Sequence, residues 1–182
     1  MKSALMNPTR RLTRPVRRML TWLLLWWWCR TNGAVIVDVE TSDLEGKIIE
    51  ICVMDMRGQV LVDTRIDPGP GVVITPEAFA VHQISATDLV GAPTIDQVTD
   101  RVLAATAGKT VIAYNAHFDQ GRVEGEITAS VGRRWFCLMR ARSRLERCRW
   151  KRLEGNHQAR GDCEAARKLA HRLVGLTAPG GA

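Results

Sequence analysis

The chain has 182 residues, 46% of them hydrophobic and 25% charged, which suits one soluble globular domain with a real core plus a short extension. Lys and Arg number 26 against 19 acids, for a net charge of +7, so a polyanionic partner is favoured, with an anionic membrane surface as the other attractor. The five cysteines are odd in number and form no C-x-x-C pair, which excludes a regular disulfide framework and favours a reducing, cytoplasmic compartment.

Residues 1–32 differ in composition from the rest of the chain. Arg10, Arg11, Arg14, Arg17 and Arg18 precede the apolar run Leu20 to Cys29, which holds four tryptophans. That run is shorter than the ~20 residues of a membrane-spanning helix. It has the charged and apolar regions of a signal peptide, but no A-x-A pattern comes after it. Two readings stand: peripheral membrane contact through residues 10–30, or an extension that folds its tryptophans onto the domain. The expected division is a basic, Trp-rich extension (1–32), a catalytic domain (33–176) and a flexible tail (177–182).

After the turn signal Asn32-Gly33, Ala34 to Thr41 reads as a first strand, Lys47 to Met56 as a second and Val60 to Ile66 as a third. Thr75 caps a short helix ending near His82. Another small helical turn starts at Ser85, and Thr94 caps a longer helix that ends at Gly108. Thr110 to Tyr114 is a fourth strand, followed by a helix to about Ser130 and a short fifth strand within Arg133 to Met139. The basic stretch Arg133 to Arg152, with Trp135 and Trp150 interleaved, reads either as a surface that tracks phosphates and stacks bases or as a solvated helix face. Asn156 to Asp162 leads into a last helix with Ala166, Leu169, Ala170 and Leu173 on one face. Cys52 and Cys137 are expected in the core, His117 as peripheral and His171 on the surface.

The first strand carries the unusual feature. Asp38 and Glu40 stand two apart among β-branched residues, so both project from one face while Val37 and Val39 pack on the other. Adjacent carboxylates raise each other's pKa unless a cation lies between them, and hard divalent ions prefer such oxygens. Two further acids, Asp119 and Asp162, fall at element ends. Glu50, in the second strand, reads as a salt-bridged or solvent-facing acid near the site.

D-x-E-T at Asp38, Y-N-A-x-F-D ending at Asp119, and H-x-A-x-x-D from His157 to Asp162 occur in that order. This series resembles the DEDD exonucleases with histidine, and is similar to the epsilon proofreading subunit of bacterial replicative polymerases. The resemblance spans about Val35 to Val174. It implies an α/β, ribonuclease H-like fold: a mixed central β-sheet flanked by α-helices. It implies that Asp38, Glu40, Asp119 and Asp162 hold two divalent ions, Mg²⁺ or Mn²⁺, with His157 as general base. Thr41, Asn115 and His82 fall where relatives contact or border the nucleotide end. The segment before His157 is shorter than in many relatives.

The chemistry these residues suit is hydrolysis of a terminal phosphodiester. Two ions clamp the phosphate, four carboxylates offset their charge, and an imidazole with a pKa of ~6.5 accepts a proton from water. The expected activity is 3′-5′ exonuclease action on single-stranded or frayed DNA, releasing nucleoside 5′-monophosphates in proofreading or repair. A DNA polymerase is the implied partner. The alternatives are a 3′-5′ exoribonuclease, since no residue reveals how a 2′-hydroxyl is treated, and an inactive nucleic-acid-binding module.

Overall fold

The computed structural model describes residues 13–179. Arg10 and Arg11 of the basic run and residues 180–182 of the tail lie outside the described residues. Five strands form one mixed sheet: β1 (Ala34–Thr41), β2 (Ile48–Asp55), β3 (Val60–Arg65), β4 (Thr110–Ala113) and β5 (Arg134–Cys137). Their spatial order is β3-β2-β1-β4-β5. The first three run as an antiparallel meander, and β4 and β5 are parallel to β1.

The alternation of side chains along β1 sorts the molecule into two layers. Ala34 and Ile36 join one core cluster with residues of the last helix, whereas Val35, Val37 and Val39 join another. The second cluster is closed by α3 (Ile95–Thr106) and α4 (Ala116–Glu126). α2 (Pro76–His82) starts on Thr75, whose hydroxyl accepts the Ala78 N–H at 3.2 Å, and a 3₁₀ turn comes next at Ala86–Leu89.

The first cluster is closed by three helices: α1 (Arg14–Thr31), α5 (Leu138–Glu146) and α6 (Ala159–Leu173). α1 lies against the domain, with Leu25 and Trp28 fully or nearly buried in the same cluster as the sheet. Trp28 meets Phe136 edge to face at 5.0 Å, and the Arg134 guanidinium lies 5.4 Å from its ring centre. Asn32 ends α1 in the left-handed conformation. Its amide donates to the Asp55 carboxylate and accepts the Met56 N–H, so the helix is tied to the turn after β2. Among the described residues no helix is long and apolar enough to cross a membrane.

Three expectations need correction. The helix after β4 begins at Ala116 and ends at Glu126 rather than near Ser130, because Ile127 turns into extended backbone and buries its side chain. His171 is buried rather than on the surface. It lies on α6, the helix that α1 packs against, and its Nδ1 hydrogen-bonds the Arg167 carbonyl at 3.0 Å. Cys137 is only half-buried, since it ends a short edge strand; Cys52 is fully enclosed. Pro179, in the tail, accepts a hydrogen bond from Arg167 at 2.9 Å.

Candidate active site

β1 extends beyond β4: paired positions between them are only Ala34, Val35 and Ile36. The C-terminal half of β1 therefore stands clear on that side, and Asp38 and Glu40 project there on the face that α6 covers. α6 brings Asp162 in its first turn to meet them. Ligand oxygens of Asp38, Glu40 and Asp162 all lie within 4.8 Å of one another, each on a half-buried residue. Asp119 is almost fully buried and comes from α4, on the opposite layer. It reaches the cluster around the end of β4 and is the strongest of the charges acting on Asp38. The backbone N–H of Val39 lies beside the Asp119 carboxylate, where strand pairing with β4 has ceased.

The electrostatics are those of a site built for cations. Burial, then the neighbouring Asp119, Asp162 and Glu40 charges, holds Asp38 well above the ordinary carboxylate range. Burial pushes Glu40 up to about 8, with help from Asp162, Glu50 and Asp119. Burial raises Asp119 to about 7 against the opposing influence of its own N–H and that of Val39. Asp162 is also raised by burial, although the N–H groups of His157 and Asn156 oppose this. The carboxylate-only donor set and its spacing fit Mg²⁺ or Mn²⁺, hard ions that prefer oxygen.

These shifts have a measurable consequence. Between an ordinary carboxyl pKa near 4.5 and about 8, the folded protein keeps protons that the unfolded chain has released. The native state then binds more protons, so stability falls as pH rises. In EDTA the melting temperature should decline between about pH 5 and pH 8, and saturating Mn²⁺ should flatten or reverse that slope. A metal-free slope of the opposite sign would contradict the assignment.

Glu50 faces Glu40 directly across β1 and β2, and its carboxylate accepts the Ala159 N–H at 2.8 Å. It thus fastens the N-terminus of α6, three residues before Asp162, as a half-buried acid beside Arg65 of β3 that forms no salt bridge among the described residues. That long-range contact has no local signal in the sequence.

His157 is exposed and takes a left-handed backbone at φ 56°. Its N–H donates to Asp162 Oδ1 at 3.2 Å, so the base candidate and the acid are held together through the backbone. The short segment before it is pinned at two points. The Tyr114 hydroxyl donates to the Lys151 carbonyl, and Arg142 donates to the Arg152 carbonyl at 3.2 Å. Gly155 then passes so close to Asp162 that a Cβ there would overlap Oδ1. Gly155→Ala should therefore cost activity on the order of the 10–100-fold typical of displacing a ligand's support, with an unchanged melting temperature. Equal kcat in the variant would show that Asp162 tolerates the shift.

Thr41 is buried and donates its hydroxyl to the Asp43 carbonyl at 2.6 Å. His82 is buried too. Its Nδ1 accepts the Ile84 N–H at 3.0 Å, which leaves the proton on Nε2 to donate to the Thr41 carbonyl at 3.2 Å. Burial lowers its pKa and keeps it neutral. Both nitrogens are spent inside the protein, so His82 positions the end of β1. Asn115 is exposed at the start of α4, one turn before Asp119. Beside Glu40 and Thr41 opens a mostly apolar cleft of about 920 Å³, whose walls include Leu44, Val81 and Phe118.

The exonuclease family model matches residues 35–131. Escherichia coli K12 exodeoxyribonuclease 10 is 31% identical over 111 residues, which cover 60% of this chain and 47% of that protein. The DNA polymerase III subunit epsilon of the same strain is 30% identical over 104 residues, covering 52% of this chain and 43% of the relative. The chain thus matches these curated relatives over somewhat less than half of their length. Among solved structures, exonuclease X in complex with 5′ overhanging duplex DNA aligns at TM-score 0.52 and 24% identity, covering 80% of this chain and 95% of that one. The nuclease domain of a DEDDh family member bound to rAMP aligns at TM-score 0.59 and 13% identity, covering 80% and 94%. These two likenesses bear on the fold, which is ribonuclease H-like. With the family model matching more than half of its residues, the chain belongs to the exonuclease family.

Proposed function

We propose that this protein is a divalent-metal-dependent 3′-5′ exonuclease that shortens single-stranded or frayed DNA and releases nucleoside 5′-monophosphates. The observation that carries the reading is the convergence of Asp38, Glu40 and Asp162 within 4.8 Å, with Asp119 alongside, at the mouth of an apolar cleft. Asp38, Glu40, Asp119 and Asp162 would hold two ions, Mg²⁺ or Mn²⁺. Bound there, such ions polarise a phosphodiester and acidify water.

The chain's own groups do the rest. The carboxylates offset the cations so that the anionic phosphate can approach. The exposed imidazole of His157 takes a proton from the attacking water, and its backbone tie to Asp162 sets its range. The cleft beside Thr41 receives the terminal nucleotide, with Phe118 offering a ring on which a base stacks and Leu44 an apolar contact. Asn115, exposed at the start of α4, contacts the strand end, and His82 acts by fixing Thr41. Residues 33–176 carry this chemistry. The similarity to a polymerase subunit supports action beside a polymerase, as in proofreading, and similarity to exodeoxyribonuclease 10 supports DNA as the substrate.

The test is degradation of 3′-labelled and 5′-labelled DNA with Mg²⁺, Mn²⁺ or EDTA. Stepwise shortening from the 3′ end that stops in EDTA and in His157→Ala is expected. Binding without cleavage by the folded protein would replace the enzyme with a binding module, and preference for the matching RNA would make it an exoribonuclease.

A further inference from the structure

Two concavities outside the acid cleft are lined by arginines and share one of them. The first, of about 320 Å³, lies at the first turn of α4, between His117 and Gln120 on one side and Trp135, Arg140 and Arg144 on the other. The second, of about 590 Å³, lies between α1 and α5 and is lined by Arg14, Arg17, Arg18, Ser143, Arg144 and Arg147. Arg144 crosses the boundary: its Nη1 donates to Thr21 of α1 at 2.9 Å. Together they make one basic path from the turn that bears Asp119 to the outer end of α1.

The charge along this path is not offset. Among the described residues, Arg14, Arg17, Arg18, Arg140 and Arg147 form no ion pair with a carboxylate. The sequence has no Asp or Glu before Asp38, and only Glu146 between Glu126 and Glu154. Local helix stability does not account for the arginines of α1 either. They fall within its first five residues, at the end where unpaired N–H groups disfavour positive charge and where no acid stands in the first turn. From Arg140 to its last residue Glu146, α5 rises about 9 Å, close to the axial span of three phosphates in a stacked strand, and Arg147 caps its end.

We propose that this groove binds the phosphate backbone of the nucleic-acid strand upstream of the 3′ end being hydrolysed, so that α1 extends the exonuclease site. The inference rests on the exonuclease reading for the direction of the strand, and on the groove itself for the binding. It involves a helix that lies before the residues matched by the family model. A lipid surface is disfavoured because the exposed apolar residues of α1, such as Met19 and Trp27, do not line the groove. A membrane contact would enlist them with the arginines.

The test uses the full chain with Arg14→Gln, Arg17→Gln and Arg18→Gln combined, since glutamine keeps helix propensity close to that of arginine. Binding of a ~20-nucleotide single strand would be followed in EDTA against salt. Hydrolysis of a nitrophenyl ester of thymidine 5′-monophosphate, too small to reach the groove, would be followed with Mn²⁺. Loss of three phosphate contacts should flatten the slope of log Kd against log salt by about 2, while ester hydrolysis stays unchanged. The triple lysine variant should restore the slope. Unchanged strand binding in the glutamine variant overturns the proposal, as does failure of lysine to rescue. Loss of binding to phosphatidylserine vesicles with strand binding intact overturns it in favour of a lipid surface. If the wild-type protein hydrolyses neither ester nor strand, the exonuclease reading fails, whereas the salt slopes still decide the groove.

Discussion

Asp38→Asn should lower the rate of mononucleotide release on the order of 10³-fold, beyond the 10–100-fold typical of losing an outer-shell partner. The same substitution should raise the melting temperature of the metal-free protein at neutral pH. Both effects arise from its position. Asp38 is enclosed between Asp119, Asp162 and Glu40, so its charge is costly when no cation is present and central when one is. Asparagine keeps the shape and removes the charge. Nuclease assay and thermal unfolding in EDTA, run on the same preparation, check the pair of outcomes. A variant that is both active and no more stable would remove Asp38 from the centre of the cluster.

Trp28→Ala should destabilise the protein by about 3–5 kcal/mol, the cost of emptying a large buried site. For a domain of this size that is a fall of about 10 °C or more in melting temperature. Trp27→Ala, one residue earlier, should change stability by no more than about 0.5 kcal/mol. The contrast comes from exposure: Trp28 is 4% exposed and packs on Phe136 and Arg134, whereas Trp27 is 57% exposed. Denaturant or thermal unfolding of the two variants measures it. Equal effects would mean that α1 does not pack as described.

The elements that build the site were legible because each has a local signature. β1 announces itself through β-branched residues, and its period of two puts Asp38 and Glu40 on one face, as observed. α2 is bounded by the cap that Thr75 supplies, and the ordered motifs locate α4 and α6. α1 is harder to read because Leu and Trp occupy all sides of it. Only tertiary packing selects Leu25 and Trp28 as the inward pair. α5 does carry a helical pattern in Leu138, Ala141, Arg142 and Leu145, but the density of arginines conceals it. The link from Glu50 to Ala159 and the close pass of Gly155 at Asp162 join distant or irregular segments, for which period and propensity carry no information.

The packing of α1 against α6 bears on how the protein is made. During synthesis α1 leaves the ribosome about 140 residues before α6, the helix that covers it, an interval on the order of ten seconds or more at about 5–20 residues per second. Through that interval Leu25 and Trp28, later enclosed, share the solvent with the outward-facing Trp22 and Trp27. The nascent chain thus exposes this adhesive segment well before α6 exists to cover it, so its yield in the cell should depend on holdase chaperones more than its folded stability alone suggests.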